Sequence, residues 1–212
     1  LLEAEPLVRR LLRRPVRPDH AGWDDAANRS LLLEAAATLR PRWILFLDAD
    51  ERLSPDDAEA LRAFVEGDEA LPGFAYTFRV HRMVGDLEHY DRAELPVARL
   101  FAWEPGQRLH GDRLHLVPVP TSIPPARWLP TTLRIQHLAG LDATRRRARL
   151  AKYREADPAL EFQADYGHLL EGPGDLHRWE PRPEGLPVLA APGDDGDDGG
   201  ESGRASCRER VS

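Results

Sequence analysis

The spacing of apolar and polar residues changes several times along this chain, and the changes mark its elements. Residues 24–39, DDAANRSLLLEAAATL, open on acids, fill with Ala and Leu and stop before Pro41, the pattern of a helix. Trp43 to Leu47 follow as an unbroken apolar run, with Ile44 and Phe46 on one side and Trp43, Leu45 and Leu47 on the other. That is a strand covered on both faces. A helix leading into such a strand reads as the second half of a βαβ unit and predicts an α/β sheet. Ser54 and Pro55 then start a helix to about Glu66, with Asp56 and Asp57 at its positive end and Leu61, Phe64 and Val65 turned inward.

Beyond the Pro72-Gly73 turn, FAYTFRVHRMVG alternates with period two around Phe74, Tyr76, Phe78 and Val80, which predicts a half-exposed strand in a more antiparallel region. Shorter strands are expected at 97–103, 113–119 and 131–138, and helices at 142–156 and 159–171. Residues 1–171 read as one domain, 172–189 as an irregular extension, and the Gly/Asp-rich 190–212 as a disordered tail.

Composition narrows the class: 42% hydrophobic and 31% charged residues are those of a globular protein, and no run reaches the roughly 20 apolar residues that span a bilayer. The opening LLEAEPLVRRLLRRP is charged where a signal peptide is apolar, so a cytoplasmic protein is expected. Its RRLLRRPVR stretch reads as a solvated helix face, the alternative being peripheral contact with the inner face of the cell membrane. The start at Leu1, inside an expected helix, suggests a fragment. Residues Gly203 to Val211 read as the translation of a sequencing adapter; Cys207, the single cysteine, lies within them, so no disulfide or cysteine-metal site is expected. Residues 190–212 hold six acids and three arginines, a net of −3, leaving −4 of the chain's −7 for the rest. With no basic, aromatic-rich stripe, nucleic acid is not an expected partner.

The chemistry concentrates where the apolar run ends in Asp48-Ala49-Asp50-Glu51. If the backbone stays extended, Asp48 and Asp50 project from the same face at the C-terminal end of a strand, the edge at which open α/β sheets bind ligands. Two close carboxylates repel unless a cation accompanies them, and hard ions such as Mn²⁺ or Mg²⁺ take oxygen ligands and share them with phosphates. The alternative is a solvated turn. The two-sided strand before it and the capped helix behind it favour the metal-diphosphate reading.

These residues resemble a known family. WILFLDADERL, preceded by NRSLLLEAA, is similar to the central DxD segment of family 2 glycosyltransferases. ARLFAWEPGQRLHGDRLH resembles the "RLF…G…H" region of bacterial members that modify surface polysaccharides or glycolipids, and TTLRIQHLAG with RLAKYREADP resembles the family's late strand and basic helix. The resemblance covers residues 20–171 and implies a partial GT-A (Rossmann-like) fold, a mixed sheet flanked by helices that lacks its first strands. It implies a nucleotide-sugar donor, a glycan, glycolipid or other hydroxyl acceptor, inverting transfer, and a Mn²⁺ or Mg²⁺ cofactor. Donor contacts would fall on Asp48, through ribose, and on Asp50, through the metal; His137 would complete the metal shell. Its alternative role is a strand histidine bonded to a carbonyl. The basic run Arg145, Arg146, Arg147, Arg149 and Lys152 could face a leaving diphosphate, though helical spacing turns only some of it inward. The family's opening strand and its "D-x-S-x-D" segment are expected to precede residue 1.

An inverting transfer needs a base for the acceptor hydroxyl. Relatives often carry His-Glu where this chain has His115-Leu116, so Asp112, His115 and Glu104 all remain candidates. A rival reading is a haloacid-dehalogenase-like phosphatase with Asp48 as nucleophile, Asp50 as acid/base and GDLEHYD at 85–91 as its later acidic motif. Arg52 stands where that family has Thr or Val, and little chain separates the motifs. A third is a non-catalytic remnant that binds sugar or a partner.

Overall fold

Asp24 sits in extended backbone and its carboxylate accepts the Ala27 N–H, so helix α1 (Asp25–Ala37) starts at the acids that predicted it. The computed structural model describes residue 12 and residues 23–93, 96–170 and 172–191. Apart from residue 12, the basic stretch at 9–17 lies outside the described residues, as does the adapter-like string. Strand β1 (Trp43–Leu45) leads to a turn, a two-residue β2 (Glu51–Arg52) and helix α2 (Pro55–Glu66). Ser54 caps α2 through the Asp57 N–H, with Pro55 at its first position, as expected. Then follow β3 (Ala75–Met83), β4 (His89–Ala93), β5 (Val97–Ala102), β6 (Trp128–His137), α3 (Ala143–Ala156) and β7 (His177–Arg178).

The strands form one curled mixed sheet. β3 is its hub: β5 and then β4 pair antiparallel with it along one edge, and β6 runs parallel along the other. β1 pairs antiparallel with the far side of β5, β2 with the end of β6, and β7 with β4. Among the described residues β1 pairs only with the antiparallel β5, and the strand that would open the expected βαβ unit, preceding α1, lies outside them. β3, expected to be half-exposed, is less so: on the side opposite Tyr76 and Phe78, Ala75, His81 and Met83 are buried too, and only Thr77 and Arg79 are partly exposed, because the strand has neighbours on both edges and cover on both faces.

Two apolar layers sandwich the sheet. Ile44, Phe46, Ala75, Ala98 and Phe101 pack with Leu33 of α1 and with Leu109, Leu116, Val119 and Ile123 from the loop before β6. Tyr76, Phe78, Val80, Leu100, Leu133 and Ile135 pack with Phe64 of α2, and Trp43 and Leu45 lie against that layer. The two-sided reading of β1 thus holds except at Leu47, which is 39% exposed. Each large side chain buried here contributes about 1.5–3 kcal/mol, and Phe78→Ala at the hub would cost about 3–5 kcal/mol.

The strand expected at 113–119 is instead an irregular core-filling loop: Pro118 and Pro120 cannot donate to a ladder, and His115 takes a φ of 61°. The helix expected at 159–171 is also absent. Asp157 accepts the N–H groups of Glu161, Phe162 and Gln163 and winds the chain into a turn, with Leu160 at a φ of 54° and a 3-10 turn at Gly167–Leu170.

The segment after residue 172 is irregular apart from β7, yet closely docked. Thr132 N–H donates to Val188 O at 2.8 Å, Ala190 N–H to Pro130 O at 3.0 Å, and Trp179 N–H to Glu88 O at 2.6 Å. Asp57, 0% exposed, anchors it: Arg134 bonds one end of its carboxylate and Arg182 approaches the other at 3.5 Å. No helix among the described residues is long and apolar enough to cross a membrane.

Candidate active site

β1 delivers Asp48 to the edge of the sheet, and there the chain turns. Glu51 N–H donates to Asp48 O at 3.0 Å, and Asp50 O accepts Leu138 N–H at 2.7 Å. The backbone is therefore not extended through the motif, and Asp48 and Asp50 meet different partners. Asp48 accepts Arg29 Nη2 from α1 at 2.6 Å on one oxygen and Arg99 Nη2 from β5 at 3.3 Å on the other. Glu51 is buried; it accepts Arg99 Nη2 at 2.6 Å and the Asp48 N–H at 3.0 Å. Asp50 turns the other way, to His137, whose Nε2 lies 3.4 Å from its Oδ2. Register explains the meeting, because Glu51 pairs directly with His137 where β2 joins β6.

The environment separates the acids electrically. The His137 contact holds the Asp50 carboxyl at about 2, against the opposing pull of burial, with Arg149 adding to the effect. Burial pushes Glu51 up, and Arg99 opposes it. His137 Nε2 also lies 3.2 Å from Arg149 Nη1 of α3. A guanidinium only donates and a carboxylate only accepts, so Nε2 serves one of them at a time: protonated it donates to Asp50, unprotonated it accepts from Arg149.

That lone pair is also what a cation would use. Two ligands about 2.1 Å from one ion, at tetrahedral to octahedral angles, stand roughly 3.0–3.5 Å apart. The Asp50–His137 separation of 3.4 Å fits this. No group of three or more His, Cys, Asp or Glu suited to an ion occurs among the described residues, so the two would leave the other positions to water and phosphate oxygens. Asp48, engaged by two arginines, is a poor third ligand.

Of the base candidates, Glu104 is misplaced. Trp43 pairs with Ala102 and Arg42 O accepts the Trp103 N–H, so Glu104 lies beyond the N-terminal end of β1, opposite to Asp48. Asp112 and His115 line a depression of about 360 Å³. His115 is linked to the acids through α3: its ring stacks on Tyr153 at 5.4 Å, and Tyr153 lies one turn after Arg149, which reaches His137. Burial pushes the His115 imidazole down, against the pull of Asp25 and Asp157.

Arg29 and Arg99 were not singled out in the sequence, although both lie in stretches that resemble the family. Their signal is charge balance: three acids at the end of a buried strand require internal cations. Arg149 was submerged in a basic run, but Leu150, Tyr153 and Ala156 mark the inward stripe of α3, and Arg146 and Arg149 share it. Arg145 is exposed and pairs with Asp142. The GDLEHYD acids serve local structure: Asp86 caps Glu88 and His89, and Asp91 pairs with buried Arg82. Lys152, the chain's single lysine, lies over the Trp23 ring at 4.2 Å, so no lysine attends Asp48 as the phosphatase reading requires.

Fold and site together define a mixed α/β protein with an acidic turn at a strand end, balanced by arginines and a histidine. No protein-family model matches the chain, and no curated protein matches it.

Proposed function

We propose that this chain is the metal-binding part of a family 2, GT-A glycosyltransferase that transfers a sugar from a nucleotide-diphosphate donor to an acceptor hydroxyl, with inversion. The observation that supports it most is the meeting of Asp50 and His137 at 3.4 Å, from the two segments whose resemblance to the family predicted that contact. In this reading Asp50 and His137 hold Mn²⁺ or Mg²⁺, which supplies charge to the leaving diphosphate. Asp48 orients the donor from its arginine cradle, and Arg149 faces the departing phosphate. The acceptor is a glycan or glycolipid hydroxyl.

Binding of Mn²⁺ to the chain, followed by loss of the free-ion electron paramagnetic resonance signal, tests the reading. Uptake should tighten when a nucleoside diphosphate is added and fall at least tenfold in Asp50→Asn and His137→Ala, with circular dichroism unchanged. No uptake, or equal uptake by both variants, overturns it.

A further inference from the structure

Tyr166 Oη donates to the buried Asp157 carboxylate at 2.7 Å, and His115 Nε2 lies 3.4 Å from the same hydroxyl. Because the hydroxyl hydrogen points at Asp157, its oxygen faces His115 with a lone pair, and only a protonated Nε2 can bond to it. The neutral ring is thereby held in its Nε2–H form with the lone pair on Nδ1, for which no partner occurs among the described residues. At 3.4 Å the contact is long, of the kind that tightens when the ring acquires charge.

The surroundings fix the ring in place. Tyr153 and Tyr166 lie 5.0 Å apart with planes only 8° from parallel, and the imidazole stacks with both. His115 takes a φ of 61°, the left-handed region that non-glycine residues seldom occupy, and this conformation sets it at the wall of the depression beside Asp112. Asp157 is 1% exposed; burial raises its carboxyl, but the Tyr166 hydroxyl and three backbone N–H groups outweigh that and hold it below the usual range. The charged groups facing the ring are Asp25 from α1, Asp157 and Arg149 from the α3 region, and His168 from the turn after it.

We propose that His115 is the general base of this site, accepting the proton of an acceptor hydroxyl on Nδ1, and that Tyr166 and Asp157 are positioning residues that fix its tautomer. The proposal rests on the transferase reading and supplies the base for which the family's neighbouring acid is missing. As the hydroxyl oxygen bonds to the anomeric carbon, the bond from that carbon to the diphosphate oxygen breaks and its electron pair leaves with the diphosphate. The proton passes to Nδ1, Nε2–H turns its growing positive charge toward the Tyr166–Asp157 pair, and the proton leaves to water after the product.

The test is ¹⁵N NMR of the imidazoles in the full chain, with His115→Gln assigning the resonance. The expected result is an Nε2–H ring that titrates below 6.5. In Tyr166→Phe the tautomer preference should be lost and the titration should fall by roughly 0.5–1 unit. Diethyl pyrocarbonate at pH 7 should acylate His115. An Nδ1–H ring, a titration indifferent to Tyr166→Phe, or a His115 that resists acylation each overturns the proposal. Mn²⁺ uptake should be the same in wild type, His115→Gln and Tyr166→Phe; its absence from the wild type sinks the transferase reading instead.

Discussion

Arg99 and Glu51 form the most buried ion pair of the candidate site, with Nη2 to Oε1 at 2.6 Å and side chains 7% and 3% exposed. Arg99 crosses from β5 to the turn after β1, and its second contact, to Asp48, makes one guanidinium the common partner of two acids. Removing it leaves Glu51 uncompensated, which costs about 3–5 kcal/mol for a buried pair. Arg99→Met should therefore lower the urea midpoint sharply, while Arg99→Met with Glu51→Gln should recover most of the loss. Equal midpoints for the single and double variants would contradict this account.

His137 depresses the Asp50 carboxyl from 3.8 to about 2. A carboxyl depressed by folding stabilises the fold above its unfolded value and loses that contribution as pH falls toward the folded one. Asp50 is 44% exposed, so after solvent screening the effect is under about 1 kcal/mol. In metal-free His137→Ala the Asp50 resonance should titrate nearer 3.8, as ¹³C carboxyl NMR can measure. An unchanged titration would deny the contact.

Asp157 also titrates below its ordinary range, and the same sign holds: its stabilisation is present above 3.8 and disappears as pH falls through the lower folded value. Asp157→Asn removes the charge from four hydrogen bonds and should cost about 2 kcal/mol at pH 7. Thermal melts across pH 6 to 2 should show a shallower acid limb in the variant than in wild type.

Gly140 has no room for a side chain. A Cβ there would meet Met83 O at 2.7 Å and the Arg82 side chain closer still. Gly140→Ala should cost about 1–3 kcal/mol through overpacking, and by shifting the turn after His137 it should also weaken Mn²⁺ uptake. Calorimetry with a Mn²⁺ titration checks both effects.

Much of this arrangement was legible because local rules decide it. Asp24 and Ser54 cap their helices as such residues do, and the apolar run of β1 packs against both layers. The Asp50–His137 contact was legible through resemblance, with alternation along β6 aiming His137 inward. What misled was chemistry that depends on distant partners. The polar set on β3 suggested exposure, but His81 is covered by Trp179 and Tyr90, which alternation cannot foresee. Asp57 read as a helix-end charge, yet its partners Arg134 and Arg182 make it a core residue. Leu114, Leu116 and Val119 read as strand because buried loops and buried strands share an apolar composition.

The anchoring of Asp57 by Arg182 also bears on how the chain matures during synthesis. α2 and its acid emerge from the ribosome early, whereas one of the two guanidiniums that neutralise that acid is among the last described residues made. Until then Asp57 has Arg134 and the Ser54 hydroxyl but not the guanidinium that covers its other oxygen, so a chain stalled before Arg182 should hold α2 less firmly than the finished one. The expected sign is greater protease access to the Phe64 face in that stalled chain.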